Sequence, residues 1–186
     1  MLRSVMALVL SALLGACAQL PSPEGMLRPP GAAIAAYALS GRITVRQGEQ
    51  RYVASIAWQH DEHQDEVLIS GPLGQGIAEL SRDARGARLT MADRREFTAP
   101  DWEALSAKVF GFPLPLSLLP RWLVADAPEG AARDAAGRPK RFVSMGWQVD
   151  YLDYESETDD ALPQLLELKR DDMALRLKID EWQMVR

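Results

Sequence analysis

From Tyr37 to the C-terminus, hydrophobic and polar side chains alternate with a period of two along most of the chain. In the first run, Tyr37, Leu39, Ile43 and Val45 alternate with more polar positions such as Arg42. A period of two is typical of β-strands that bury one face. Further alternating or short apolar runs, separated by Gly or Asp turns, cover Tyr52–Trp58, Val67–Ile69, Gly76–Arg82, Ala87–Met91, Arg95–Thr98, Trp147–Tyr151, Leu162–Leu168 and Met173–Ile179. Many short strands at close spacing predict a mostly β fold, an antiparallel barrel or sandwich.

A segment after residue 97 breaks this alternation and predicts a helix. Residues 98–101 match a capping box, in which the Thr98 hydroxyl accepts a hydrogen bond from the Asp101 N–H. Gly111, followed by a proline, is expected to end the helix. The apolar residues at helical spacing between these signals are Trp102, Leu105 and Val109.

Ser117 can cap a second short helix that runs through Trp122 and Val124. Pro120 would be its third residue, where proline removes no intrahelical hydrogen bond. Two short amphipathic helices in a β chain are expected to cover an open end or face of the sheet. A further short helix near Ala32–Ala36 has only weak support from the sequence.

The N-terminal segment has the features of a secretory signal. Arg3 supplies a positive charge, Val5–Leu14 is almost entirely apolar, and this run is too short to span a bilayer stably. Residues 14–17 resemble the bacterial lipobox, which predicts a signal peptide at 1–16 and lipidation of Cys17. The alternative is a chance cysteine beside an ordinary signal-peptidase site. Ala18 favours the outer membrane by the sorting rule of enteric bacteria, in which Asp at this position marks inner-membrane retention.

The composition of the chain indicates its domain organisation and excludes several classes of protein. Residues 17–36 are rich in Pro, Gly and Ala and predict a tether after the lipidated cysteine, which leaves residues 37–186 as one domain. The chain has 186 residues, 47% of them apolar, and a formal net charge of −5. A disordered chain is excluded by this apolar content, and nucleic-acid binding is disfavoured by the acidic balance. One cysteine cannot form an internal disulfide or a multi-cysteine zinc site.

Candidate chemistry is sparse. Residues 60–65 gather His60, His63 and acidic side chains, but a solvated turn with both histidines exposed is favoured over a metal site. The acidic run from Asp150 to Asp160 lacks calcium-loop spacing and is expected to be a solvated loop. No nucleophile and base are suitably placed for catalysis, so no enzyme activity, metal or cofactor is predicted.

The turn after the third predicted strand is unusual. Pro72, Leu73 and Gly74 place a leucine where turns ordinarily carry polar residues. From spacing alone, Leu73 is expected to fold back onto the core. The alternative is an exposed apolar tip that meets a membrane or an apolar partner.

The aromatic residues also allow two interpretations. They form an ordinary core, which the sequence slightly favours, or they line a cavity beneath the two helices if the sheet is incompletely closed. These residues are Trp58, Trp102, Phe110, Trp122, Phe142, Trp147, Tyr151 and Trp182.

Several short motifs, in order, resemble the LolB family of outer-membrane lipoprotein receptors of Gram-negative bacteria. The resemblance covers residues 37–186 and is specific through the order and spacing of its motifs. The stretch at 18–36 departs from the family, in which a longer helical lead-in is expected. The matching segments are residues 14–17, Leu39–Arg42, Trp58-Gln59, Ser70–Gly74, Gly111–Pro115, Leu119–Leu123, Gly146-Trp147 and Leu177–Trp182.

The resemblance implies an unclosed antiparallel β-barrel with a helical lid over an apolar cavity, a fold shared with the periplasmic carrier LolA. It implies a monomeric receptor, anchored in the outer membrane and facing the periplasm, that accepts acylated lipoproteins from LolA. The cargo would then enter the inner leaflet, with Pro72, Leu73 and Gly74 as the membrane-insertion loop. A structural or envelope-sensing lipoprotein without transfer activity is the alternative. The implied acyl-chain cavity is lined by Trp58, Trp102, Leu105, Val109, Leu119, Trp122, Phe142, Trp147, Tyr151 and Trp182.

Overall fold

A computed structural model describes residues 33–184. The predicted signal peptide, Cys17 and most of the predicted tether lie outside this range. Residues 34–36, where a short helix had some support, have no regular secondary structure. The strands are β1 (Tyr37–Gln47), β2 (Gln50–His60), β3 (Asp65–Ser70), β4 (Gly76–Asp83), β5 (Gly86–Met91), β6 (Glu96–Ala99), β7 (Ala132–Arg133), β8 (Pro139–Ser144), β9 (Trp147–Tyr154), β10 (Pro163–Arg170) and β11 (Met173–Met184).

All eleven strands form one antiparallel sheet in the order β6-β5-β4-β3-β2-β1-β11-β10-β9-β8-β7. Strands that are consecutive in the sequence pair directly, except β6 and β7, which lie at opposite ends of the sheet. The pairing of β1 with β11 brings the first and last strands together at the centre. The order ends at β6 and β7, so the sheet is not closed. The predicted unclosed, mostly β architecture is confirmed.

Strands β1 and β11 approach each other closely at Gly41. The register shifts between Ser40 and Gly41, which is the signature of a β-bulge. A Cβ atom on Gly41 would lie 2.2 Å from the backbone oxygen of Lys178. Only glycine therefore permits the two strands to approach this closely here.

The first helix, α1 (Trp102–Phe110), lies where the spacing predicted it and ends at Gly111, whose φ is 84°. The predicted capping residue is wrong. Asp101 is the N-cap, and its carboxylate accepts from the Ala104 N–H at 2.7 Å. Thr98 instead lies in β6, paired with Arg88 of β5.

The second helix, α2 (Leu119–Leu123), is shorter than predicted, and Ser117 does not cap it. Leu118 is the N-cap without a side-chain hydrogen bond, and Pro120 is the second helical residue. The Ser117 hydroxyl donates to the Glu103 carboxylate at 2.6 Å. This bond ties the segment before α2 to the first turn of α1.

The core lies between the inner face of the sheet and both helices. One residue that was predicted to lie in a solvated loop is part of the sheet instead. Asp150 is buried in β9, where its carboxylate accepts from Arg141 and from Gln148. The expectation that the acidic run is a solvated loop is therefore wrong for Asp150, and Asp153 also lies in β9, although its side chain is exposed. Within residues 33–184, helices reach neither the length nor the apolar content needed to cross a membrane.

Candidate functional site

Most of the residues predicted to line a cavity meet in one apolar cluster beneath α2. Strands β1–β3 and β8–β11 supply the inner face of this cluster, and α2 supplies the cover. Trp122 of α2 packs edge-on against Phe142, with ring centroids 5.4 Å apart. The predicted lining residues in this cluster are Trp58, Leu119, Trp122, Phe142, Trp147 and Tyr151, with Trp182 packed against it.

The remaining predicted lining residues form a second cluster beneath α1. Trp102 and Leu105 are buried against the small and apolar side chains of β4 and β5, and Val109 packs beside them. The Trp102 indole N–H is buried and has no hydrogen-bond partner among the described residues. An orphaned buried donor costs about 1–3 kcal/mol, so α1 packs against the sheet with an uncompensated polar group.

The interior beneath the helices is nearly filled in this structure. One apolar gap lies between the segment before α2 and the sheet, with a volume of about 10 Å³, roughly the room of one water molecule. An acyl chain cannot enter a gap of this size unless the helices move. The residues around the gap are Leu114, Pro115, Leu116, Leu119, Trp147, Leu168 and Leu175.

Two tyrosine hydroxyls hold α2 against the sheet. Tyr37 of β1 donates to the Pro120 carbonyl at 3.1 Å, and Tyr151 of β9 donates to the Trp122 carbonyl at 2.8 Å. Burial, assisted by the charge of Asp65, holds the pKa of Tyr37 well above its usual value. Burial likewise raises the pKa of Tyr151. Both hydroxyls therefore stay protonated donors throughout the physiological pH range, and we call this pair of bonds the tyrosine latch.

A buried carboxylate fixes Trp58 in the cluster. Asp65 accepts from the Trp58 indole N–H at 2.9 Å and from Arg82 Nε at 2.6 Å, and His60 Nδ1 lies 2.6 Å away. Burial alone would raise the pKa of Asp65, but the hydrogen bonds from His60, Trp58 and Arg82 outweigh it and lower the pKa. The carboxylate stays ionised and joins three adjacent strands.

Sequence reasoning missed this role of Asp65 and placed both histidines at an exposed tip. For His60 that prediction is wrong, since its side chain is only 15% exposed. The available signal was the hairpin itself: His60 and Asp65 flank a four-residue turn and form a cross-strand pair. Among residues 33–184, no group of three or more His, Cys, Asp or Glu side chains is arranged to hold a metal ion.

The loop between β3 and β4 presents Leu73 to solvent. Gly71 and Gly74 close a tight turn, with the Gly74 N–H donating to the Gly71 carbonyl at 2.9 Å. Pro72 and Leu73 occupy the two central positions, and proline is favoured at the first of them. Leu73 is 93% exposed, so the expectation that it folds back onto the core is wrong.

Comparison with known proteins identifies the family to which this fold and loop belong. The family described as Outer membrane lipoprotein LolB matches residues 35–182. The chain belongs to the LolB family. A LolB protein of Azoarcus sp. (strain BH72), described as an outer-membrane lipoprotein, is 40% identical over 185 residues, covering 98% of this chain and 95% of the relative. One from Thiobacillus denitrificans is 36% identical over 177 residues, covering 91% of each chain.

Solved structures with the same fold are distant in sequence. A LolA superfamily protein from Nitrosomonas europaea superposes with a TM-score of 0.50 at 8% identity, covering 86% of this chain and 89% of that one. A lipoprotein-sorting protein domain from Vibrio parahaemolyticus, described as of the outer membrane, also gives a TM-score of 0.50, at 9% identity, covering 80% and 85%. These likenesses support the fold alone.

Membership of the LolB family confirms the predicted function in outline. The chain is an outer-membrane lipoprotein with a receptor and insertion function in lipoprotein localisation. The family is of the transport or chaperone type.

Proposed function

We propose that this chain accepts acylated lipoproteins from the periplasmic carrier LolA and releases them into the inner leaflet of the outer membrane without making or breaking covalent bonds. One observation above all supports the proposal that the chain binds acyl groups. The apolar inner face of the sheet lies under α2, which two tyrosine hydroxyls hold in place by hydrogen bonds. Cys17, once lipidated, would keep this receptor at the membrane where cargo is delivered.

The physical need for a sheltered route comes from the acyl chains themselves. Each buried methylene contributes about 0.8 kcal/mol to membrane attachment. A lipoprotein with three acyl chains would therefore face a barrier of tens of kcal/mol if it crossed water unaided. The carrier and the receptor must pass the chains directly through a water-excluded contact, and each step must favour the next binding site.

We propose that binding begins when the helices move away from the sheet. The gap of about 10 Å³ beside Trp147 and Leu168 marks where the packing is already incomplete. An acyl chain entering there would replace the contacts that the helical segment makes with the inner face. Apolar contacts are non-directional, so a face built from Leu, Trp and Met accommodates varied chains.

We propose that the Leu73 loop acts in the last step of the transfer, the release of cargo into the membrane. The Leu73 side chain projects from the domain, so it can enter the bilayer without giving up packing contacts within the protein. Contact of this tip with the bilayer would hold the domain close enough for chains to pass into the leaflet without exposure.

Replacing Leu73 tests this assignment. We expect Leu73→Glu to leave the domain folded and able to receive lipoprotein from the carrier, and to impair incorporation into the membrane, because a charge resists burial in the bilayer. The measurement is a reconstituted transfer assay that scores cargo on the receptor and cargo in the membrane separately. Leu152→Glu is the matched control, since Leu152 is exposed in β9, away from the loop.

Normal incorporation by the Leu73→Glu variant would refute the loop's role. Acyl-chain binding by the inner face has a test of its own, the displacement of a fluorescent fatty acid from the purified protein. Saturable binding supports the proposal, and its absence would contradict acyl binding at this face.

A further inference from the structure

The Leu73 loop is one of five turns along the same edge of the sheet. Antiparallel pairing places the turns of the β1–β2, β3–β4, β5–β6, β8–β9 and β10–β11 hairpins side by side at one end of the strands. We call this edge the docking rim, which comprises residues 46–53, 71–77, 92–95, 143–146 and 170–172.

The most exposed large apolar side chains among the described residues lie on the docking rim. Among the described residues, the four most exposed large hydrophobic side chains are Leu73 (93%), Val143 (67%), Met145 (67%) and Tyr52 (59%), and all four lie on it. Single exposed apolar residues are ordinary on a protein surface, but their concentration on one edge indicates an interaction surface.

The strand register places these side chains at separated points. Ser70 of β3 lies opposite Ser55 of β2, so residues 50–54 of the first hairpin run beside the Leu73 loop. Met145 lies at the β8–β9 turn, and five strand spacings separate β3 from β9. At roughly 4.8 Å per strand, the two regions are about 24 Å apart along the sheet. Separated apolar tips on one edge suit a flat, extended partner.

The charge of the docking rim also differs from that of the whole chain. It carries five arginines and four acidic residues, in a protein whose net charge is −5. Two of the arginines pair with neighbouring acids, Arg95 with Asp93 and Arg170 with Asp171. The rim is therefore the less acidic part of the surface and is suited to approach phosphate headgroups. The remaining charged residues are Arg46, Arg51, Arg94, Glu49 and Asp172.

The apolar gap in the interior lies near this same edge. Trp147 is the first residue of β9 and follows the β8–β9 turn directly. Leu168 and Leu175 lie close to the β10–β11 turn and pair with each other across the two strands. Chains leaving through the gap would emerge beside the rim rather than at the opposite end of the sheet.

We propose that the docking rim is a membrane-docking surface that touches the phospholipid bilayer at three regions: the Leu73 loop, the β1–β2 hairpin at Tyr52, and the β8–β9 turn at Met145. This inference rests on the proposed function of the loop and extends it. Three separated contacts fix the orientation of the domain, which one leucine cannot do. The interior gap then faces the leaflet that receives the cargo.

The test measures the depth of each region in the lipid-anchored protein. With Cys17 acylated, a new cysteine is the one free thiol, so Leu73→Cys, Tyr52→Cys and Met145→Cys can each carry an environment-sensitive fluorophore. Leu152→Cys is the control position. The proteins are reconstituted in phosphatidylethanolamine–phosphatidylglycerol vesicles with and without brominated acyl chains. We expect a blue shift and bromine quenching at positions 73, 52 and 145, and neither at 152.

The outcomes separate this inference from the loop's proposed role. Quenching at position 73 alone would overturn the three-region surface and leave the loop's role standing. No quenching at any position would overturn both, and equal quenching at all four would show non-specific adsorption and overturn the surface. As a second measurement, Tyr52→Ser with Met145→Ser should reduce quenching of the fluorophore at position 73. Circular dichroism verifies that each variant is folded.

Discussion

Removing the tyrosine latch should loosen α2 without removing any apolar contact of the core. Tyr37→Phe and Tyr151→Phe each delete one buried hydroxyl that donates to a carbonyl of α2. A buried hydrogen bond of this kind contributes about 1 kcal/mol net. The double variant should therefore weaken the closed position of α2 by about 2 kcal/mol, which raises the open population roughly 30-fold.

Hydrogen exchange measures this change directly. The amides of Trp122 and its neighbours in α2 should exchange roughly 30-fold faster, the same free-energy difference expressed as a ratio. A fluorescent fatty acid should also bind more tightly, because less of its binding free energy is spent on displacing the helix.

Tyr154→Phe is the matched control for both measurements. Its hydroxyl also donates to a backbone carbonyl, that of Pro139, but this carbonyl belongs to β8 rather than to α2. If the double variant exchanges its α2 amides no faster than Tyr154→Phe does, or binds the fatty acid no better than the unchanged protein, the latch is not what holds the interior closed.

Two further predictions concern parts of the chain remote from α2. Asp65→Asn should lower the free energy of unfolding by about 3 kcal/mol, because it leaves Arg82 without its buried, charged partner. Urea unfolding at neutral pH measures this loss, and an unchanged midpoint would contradict the prediction. Folding lowers the pKa of Asp65 below its ordinary value of 3.8. The contribution of Asp65 to the free energy of unfolding is therefore complete above pH 3.8 and is lost as the pH falls through the lowered pKa. The Asn variant should not show this loss. Cys17→Ala should abolish lipid attachment, and mass spectrometry of the detergent-extracted native protein would refute the lipidation if residue 17 were unmodified.

Strands with a regular alternation were predictable, because one buried face imposes a period of two on the sequence. The two strands that sequence reasoning missed lack this signal. β7 has two residues, both exposed, and β8 begins at a proline and alternates over only a few positions. β8 pairs with β9 and β7 pairs with β8, and the local sequence does not specify either pairing.

The details of the site depended on contacts between distant segments. Both Thr98 and Asp101 can cap a helix, and pairing of β6 with β5 decides between them. Asp65 is ionised in the core because partners from two other strands surround it. Leu73 is exposed at a central position of a tight turn, which the backbone hydrogen bond from Gly74 to Gly71 closes.

Binding of cargo acyl chains to the inner face beneath the helices is the central claim. A lipoprotein that carries a photoactivatable group on one acyl chain, crosslinked during transfer and followed by peptide mapping, tests it most directly. We predict crosslinks to residues around the interior gap, such as Trp147 and Leu168. Crosslinks confined to the outer face of the sheet while transfer proceeds normally would contradict the claim.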